Sequence, residues 1–323
     1  MSTQQITRWD QASALGGAVV WTVLAGLAGN GKAPLGVIEL LFLFAPLVIV
    51  PLGLALGRIV SPLQYQAAET WLRFLQPVAA GFAVVSFWFS PGWPAGIFAG
   101  PWVLLCGAMA LVGALTLVSE KNASLVTWVV NIGRIDLAIA GGWLVMSRLG
   151  LRPLGIQEPV VLLTAVHFHY TGFATALLAG ALLTHAHRNG SDRNILKAIV
   201  ILVVATPFLV AMGFVWSATF KMASAVALSA GLATLAGMQF WFSSDLSNRS
   251  ARTYMRLSAI AVVVAMALAA TYAIGDWLKQ DWLLIPRMAS THGLLNGLGF
   301  SLLALLGWLM EFSIPSANQS ARG

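Results

Sequence analysis

Between Glu158 and Leu183 the chain reads EPVVLLTAVHFHYTGFATALLAGALL, a run long enough to cross a bilayer. Near its middle stand Thr164, His167, His169, Tyr170 and Thr171. Imidazole gives and takes protons near neutral pH, so these residue types suit acid/base work. His167 lies roughly 13 Å along a helix from Glu158, close to the membrane centre. Polar groups at that depth must face other helices or a cavity. Thr164, His167, Tyr170 and Thr171 follow i, i+3, i+6, i+7 and form one polar stripe. Ala165, His169, Gly172 and Ala176 form a second stripe of small residues, suited to close helix packing. His167 and His169 therefore point in nearly opposite directions, and a regular helix cannot aim both at one metal ion. The expected division is that His167 faces a cavity while His169 hydrogen-bonds between helices.

Three further stretches carry groups of the same kind. In RMASTHGLLNGLGFSLLALL, His292 and Asn296 share a helix face, and Gly293 and Gly297 make a GxxxG on an adjoining one. Arg287 opens that stretch. In NIGRIDLAIAGGWL, Asn131, Arg134 and Asp136 fall inside an apolar span. Arg134 and Asp136 are ~200° apart on a helix, so each needs a partner elsewhere. In IELLFLFAPLVIVPLGLAL, Glu39 sits about one turn into the span, and Pro46 and Pro51 should kink it and free backbone carbonyls.

The elements that position these groups follow from composition. The chain has 323 residues, 59% hydrophobic and 9% charged, where soluble domains carry about a quarter charged residues. It reads as all-α: a polytopic transmembrane helical bundle forming a single integral-membrane domain over 1–323. Strands are not expected, because the apolar runs do not alternate with polar residues. About ten spans are expected, near 12–28, 34–57, 70–89, 95–118, 125–147, 158–183, 195–215, 222–243, 254–275 and 288–310. The formal charge of +7 does not indicate nucleic acid, because Lys and Arg sit mostly in short connecting loops. One side would hold eleven of them: Arg8, Arg58, Arg73, Lys121, Arg188, Arg193, Lys197, Arg249, Arg252, Arg256 and Arg322. The other side would hold six, which places both termini in the cytoplasm. Cys106 is the single cysteine, so neither an internal disulfide nor a multi-cysteine metal site can form. No cleavable signal peptide is evident at the start. Trp88, Trp93 and Trp102 read as interfacial anchors, and His185 and His187 as a solvated cytoplasmic loop.

The strings LTAVHFHYTGF at 163–173 and STHGLLNGLGF at 290–300 resemble the YndJ-like family of bacterial integral membrane proteins, with GGWLVMSRLG at 141–150 as support. The resemblance implies a multi-pass protein of the bacterial plasma (inner) membrane. It implies no reaction and no cofactor.

On this topology Glu39, Glu158, His167, Tyr170, Arg287, His292 and Asn296 gather in the outer half of the membrane, with Asp136 near the middle. A shared polar hollow is expected there. The leading expectation is an enzyme acting on a lipophilic small-molecule substrate among the membrane lipids, an isoprenoid being one candidate. Asp136, Glu39, Glu158, His167 and His292 would be the acid/base groups. Tyr170, Thr164, Asn296 and Arg287 would hold the substrate. With 13 Trp and 16 Phe, aromatic faces could stabilise a cation during cyclisation or isomerisation. The alternatives are a proton-coupled transporter or channel through Asp136, His167 and His292, and haem or metal held by His167 and His292. No motif names a metal site, and the cofactor stays open.

Overall fold

Long apolar runs closed by short polar caps dictate helices, and helices are what the chain forms. A computed structural model describes residues 7–61, 65–191 and 193–313, and among them there is no strand. Arg322, counted above with the cytoplasmic side, lies outside the described residues.

Ten long helices run in order: α1 Arg8–Gly29, α2 Val37–Val60, α3 Gln66–Ser86, α4 Trp93–Ser119, α5 Leu125–Leu149, α6 Val160–Arg188, α7 Asn194–Trp216, α8 Ala218–Asp245, α9 Arg249–Leu278 and α10 Ile285–Phe312. Among the described residues, nine are long and apolar enough to cross a membrane, and α3 falls outside that set. Its contacts nonetheless show that it crosses. At its start Arg73 bonds Asp10 of α1, while the Phe89 carbonyl just past its end accepts from Arg148 at the far end of α5. Its 21 residues span about 31 Å, a full hydrocarbon core. Ten crossings put the start of α1 and the end of α10 on one side, and the Lys and Arg distribution makes that side the cytoplasm.

The helix ends follow their sequences. Thr7 and Asp10 form a reciprocal capping box at the start of α1, and Ser124, Ser217 and Asn248 accept backbone N–H groups at the starts of α5, α8 and α9. Gly150 ends α5 in the left-handed region at φ +74°.

Helices α2, α5, α6 and α10 form the inside of the bundle, whereas α1 lies mostly exposed on its flank. Helices α4 and α5 pair as an antiparallel hairpin, as do α7 with α8 and α8 with α9; α9 then packs on α10. Three of the four inner helices contain π-helical stretches: Ala45–Ile49 in α2, Phe168–Ala174 in α6, and Ala289–Gly293 with Leu295–Leu302 in α10. The stretches at Ala45, Phe168 and Leu295 touch one another. In α2 the cause is legible. Pro46 has no N–H, and the Ala45 N–H turns to Phe42 O while the Val50 N–H reaches back to Ala45 O. Carbonyls in and beside this shift take side-chain donors from three neighbours. Trp21 donates to Leu40 O at 2.7 Å, Tyr170 to Leu41 O at 2.9 Å and Gln76 to Pro46 O at 2.5 Å. In α6 the Thr175 hydroxyl donates to Tyr170 O at 3.0 Å, five residues back. The expected kink at Pro46 is thus a widened helix whose loose carbonyls tie α1, α3 and α6 to α2.

The GxxxG of α10 brings two helices in at once. A Cβ on Gly293 would fall 2.5 Å from Leu41 Cδ1 of α2, and one on Gly297 would fall 3.3 Å from the Tyr170 hydroxyl of α6. Two expectations fail at the helix ends. His185 is not in a solvated loop: it is buried in the last turns of α6, its ring 5.4 Å from Trp308 and 6.2 Å from Phe242. Trp102 is no interfacial anchor, being fully buried, whereas Trp93 and Trp88 are exposed.

Candidate functional site

Helices α6 and α10 cross the membrane in the same direction, and each carries a histidine seven residues after its first residue, Val160 or Ile285. Both imidazoles therefore lie about 11 Å down from the outer helix ends. The rings of His167 and His292 face each other with centroids 6.5 Å apart and planes 25° from parallel.

The hydrogen bonds fix the tautomers. A carbonyl can only accept, so a ring nitrogen bonded to one must carry the proton. His167 Nδ1–H donates to Leu163 O at 2.7 Å, and His169 Nδ1–H to Ala165 O at 2.8 Å. His292 Nδ1–H donates to Ala265 O of α9 at 2.8 Å. Each Nε2 is left with a lone pair. That of His169 accepts the Trp102 indole N–H at 3.2 Å, with Phe42 edge-on to the ring at 5.3 Å. That of His292 accepts the Asn296 amide at 3.1 Å. No hydrogen bond is formed by His167 Nε2 to any described residue, and the His167 side chain is exposed while its chain neighbours Val166 and Phe168 are buried. The pair thus has one committed base and one open one. It sits between α6 and α10, with α9 joined through Ala265 and α7 joined through Phe168 against Phe208.

The other expected site residues divide sharply. Asn296 belongs to the pair. Thr164 is half-buried and returns its hydroxyl to Val160 O at 2.8 Å, and Arg287 is exposed on the outer surface. Tyr170 is buried with its hydroxyl spent on Leu41 O, so it braces helices and does not face the opening. Glu39 accepts the Gly36 N–H at 2.9 Å and Glu158 accepts the Leu162 N–H at 3.1 Å. Both carboxylates complement the N-termini of their own helices and face no cavity, because four unpaired N–H groups at each helix start attract them. Asp136 is buried, with both carboxylate oxygens lacking a partner, and packs against Gly172 on the side of α6 that faces α5. No hydrogen bond joins it to either imidazole among the described residues. The hydrogen bonds of these groups do not unite them around one enclosed hollow among the described residues, and His167 of the imidazole pair is instead exposed.

A family model described as YndJ-like protein matches residues 40–300, a stretch that includes both histidine segments. The chain belongs to the YndJ-like family. Over 258 residues it is 29% identical to the uncharacterized membrane protein YndJ of Bacillus subtilis (strain 168), a match covering 80% of this chain and 45% of the relative. The chain therefore spans less than half of that relative's length. No solved structure matches. This YndJ-like chain is a multi-pass protein of the bacterial plasma membrane.

Sequence reasoning missed the groups that hold the YndJ-like bundle together at its cytoplasmic end. Asp10 accepts from Arg58 at 2.6 Å and from Arg73 at 2.8 Å. Arg134 takes Asn131 of its own helix at 2.8 Å, and Glu69 of α3 stands 3.9 Å away. The Lys and Arg distribution by itself reads Arg58 and Arg73 only as topology signals. The available signal was Asp10 in the first turn of an apolar helix, and Gln76 three residues after Arg73 on one helix face.

Proposed function

We propose that the chain is a membrane-embedded enzyme that moves a proton on a lipid-soluble substrate, with His167 as the base. The observation that carries this reading is His167 Nε2, which has no hydrogen-bond partner among the described residues, on an exposed residue whose ring lies opposite a second imidazole. A lipophilic molecule in the outer leaflet could approach that ring sideways, without leaving the bilayer. The lone pair would take a proton from the substrate, leaving an imidazolium whose Nδ1–H still bonds Leu163 O. Return of that proton at a neighbouring carbon completes an isomerisation.

Cyclisation through a cation, the other form of the isoprenoid expectation, needs an acid beside the substrate. Asp136 is the buried acid nearest that depth among the described residues, and it lies against Gly172, with no hydrogen bond to the histidines. The geometry therefore favours proton removal and return over cyclisation. Haem or metal held by both rings is less well supported, because the His292 lone pair already accepts from Asn296. A proton path through Asp136 lacks any hydrogen bond joining it to the pair among the described residues.

The test is isotopic. Purified protein in nanodiscs made from bacterial lipid extract is incubated in deuterated water, and the lipids are read by mass spectrometry. Deuterium should enter one lipid class with the wild type and not with His167→Ala. Equal labelling in both, or none in either, rejects the proposal.

A further inference from the structure

Arg134 stands nine residues past Leu125, about 14 Å from the cytoplasmic end of α5 and deep in the inner half of the membrane. Its place is cut from small residues. A Cβ on Gly57 would fall 3.3 Å from its Nη2, and one on Gly113 would fall 3.2 Å from its Cβ. Arg134 is 2% exposed and Glu69, its counter-charge, 6%. The two do not touch: Nη2 and Oε1 are 3.9 Å apart, beyond hydrogen-bond length, and neither atom has another partner. A guanidinium and a carboxylate left short of each other in a low dielectric are costly unless something polar joins them.

A cavity adjoins them. Its volume is about 10 Å³, and Glu69, Arg134, Arg73, Leu54 and Met109 are among its walls. A second cavity of equal size lies beside Asp10, Ser13 and Gln76 and shares Leu54 and Arg73 with the first. Leu54 and Arg73 therefore form a wall common to both. Arg73 is held by Asp10 and keeps 13% of its side chain exposed, so this shared wall reaches the cytoplasmic surface.

We propose that the inner cavity is a hydration site, holding one water that bridges Glu69 Oε1 and Arg134 Nη2 and exchanges with the cytoplasm past Arg73 through the second cavity. Size is compatible with this ligand: a cavity needs about 10–15 Å³ to admit one water. Chemistry agrees, since a buried water wants two to four polar partners, and Glu69, Arg134 and Arg73 supply them. Such a water turns a separated ion pair into a hydrated one and lets Arg134 keep its charge at that depth. This site is independent of the histidine pair.

X-ray radiolytic footprinting tests the proposal, because bound water activated in place oxidises the side chains it touches. Met109 lines the inner cavity and is 3% exposed, while Met255 is 0% exposed, packs on Gly307 and lines neither cavity. Protein in nanodiscs should oxidise at Met109 at least several-fold faster than at Met255, with ¹⁸O incorporated after brief mixing with labelled water. Arg73→Ala should speed the ¹⁸O exchange further. Oxidation of Met109 no faster than Met255 in the wild type overturns the hydration site, and ¹⁸O exchange unchanged by Arg73→Ala overturns the route.

Discussion

A methyl group on Gly172 would fall 2.8 Å from the Asp136 Oδ2 atom, so the glycine of one helix is what makes room for the acid of another. Gly172→Ala should therefore destabilise the protein by about 1–3 kcal/mol through overpacking. Asp136→Ala removes two unpartnered buried oxygens and should cost little or raise the melting temperature. The double variant should recover most of the loss. Thermal unfolding in detergent across the four proteins measures the coupling, and additive effects would contradict the contact.

Trp102→Phe keeps the aromatic packing and deletes the indole N–H, leaving His169 Nε2 buried without a donor. The expected loss is about 1–3 kcal/mol. The same melts check it, and a neutral result would mean that the ring nitrogen finds another partner.

His167 should behave in the opposite way. Its side chain is exposed, so His167→Ala should move stability by no more than about 0.5 kcal/mol. The deuterium transfer described above should fall by roughly 10²–10⁴-fold. His292→Ala should lower transfer less, because its lone pair is already engaged by Asn296. Parallel melting and labelling measurements separate a chemical role from a structural one.

Asp10→Ala strips the acceptor from both Arg58 and Arg73. Two cations mostly shielded from solvent would be left uncompensated, and the expected cost is about 3–5 kcal/mol. Limited proteolysis should then cut between α1 and α2 faster than in the wild type. Because the pair is buried, added salt should not mimic the substitution.

What the chain reveals before folding depends on which force decides each position. The two stripes of α6 follow from helical periodicity, and the structure turns them to different neighbours: His167 to His292, His169 to Trp102. Pro46 announced a disturbance in α2 because a missing N–H is a local property. Glu39 and Glu158 misled because depth alone made them look like cavity acids. The position of Glu39 three residues after the helix-starting Gly36, whose N–H it accepts, outranked depth. The π-helical stretches of α6 and α10 were not legible, since packing of α2, α6 and α10 against one another selects them. Nor was the role of Trp102, whose type fits an interfacial anchor as well as a buried donor.

The clasp at Asp10 has a consequence for biogenesis. Asp10 leaves the ribosome 48 residues ahead of Arg58 and 63 ahead of Arg73, the two cations that complete it. Until α2 and the start of α3 have been threaded, α1 carries Asp10 without these two cations and has little surface committed to the bundle. Its final seating must therefore wait for the third helix, and the translocon or the headgroup region has to shelter that carboxylate in the interval.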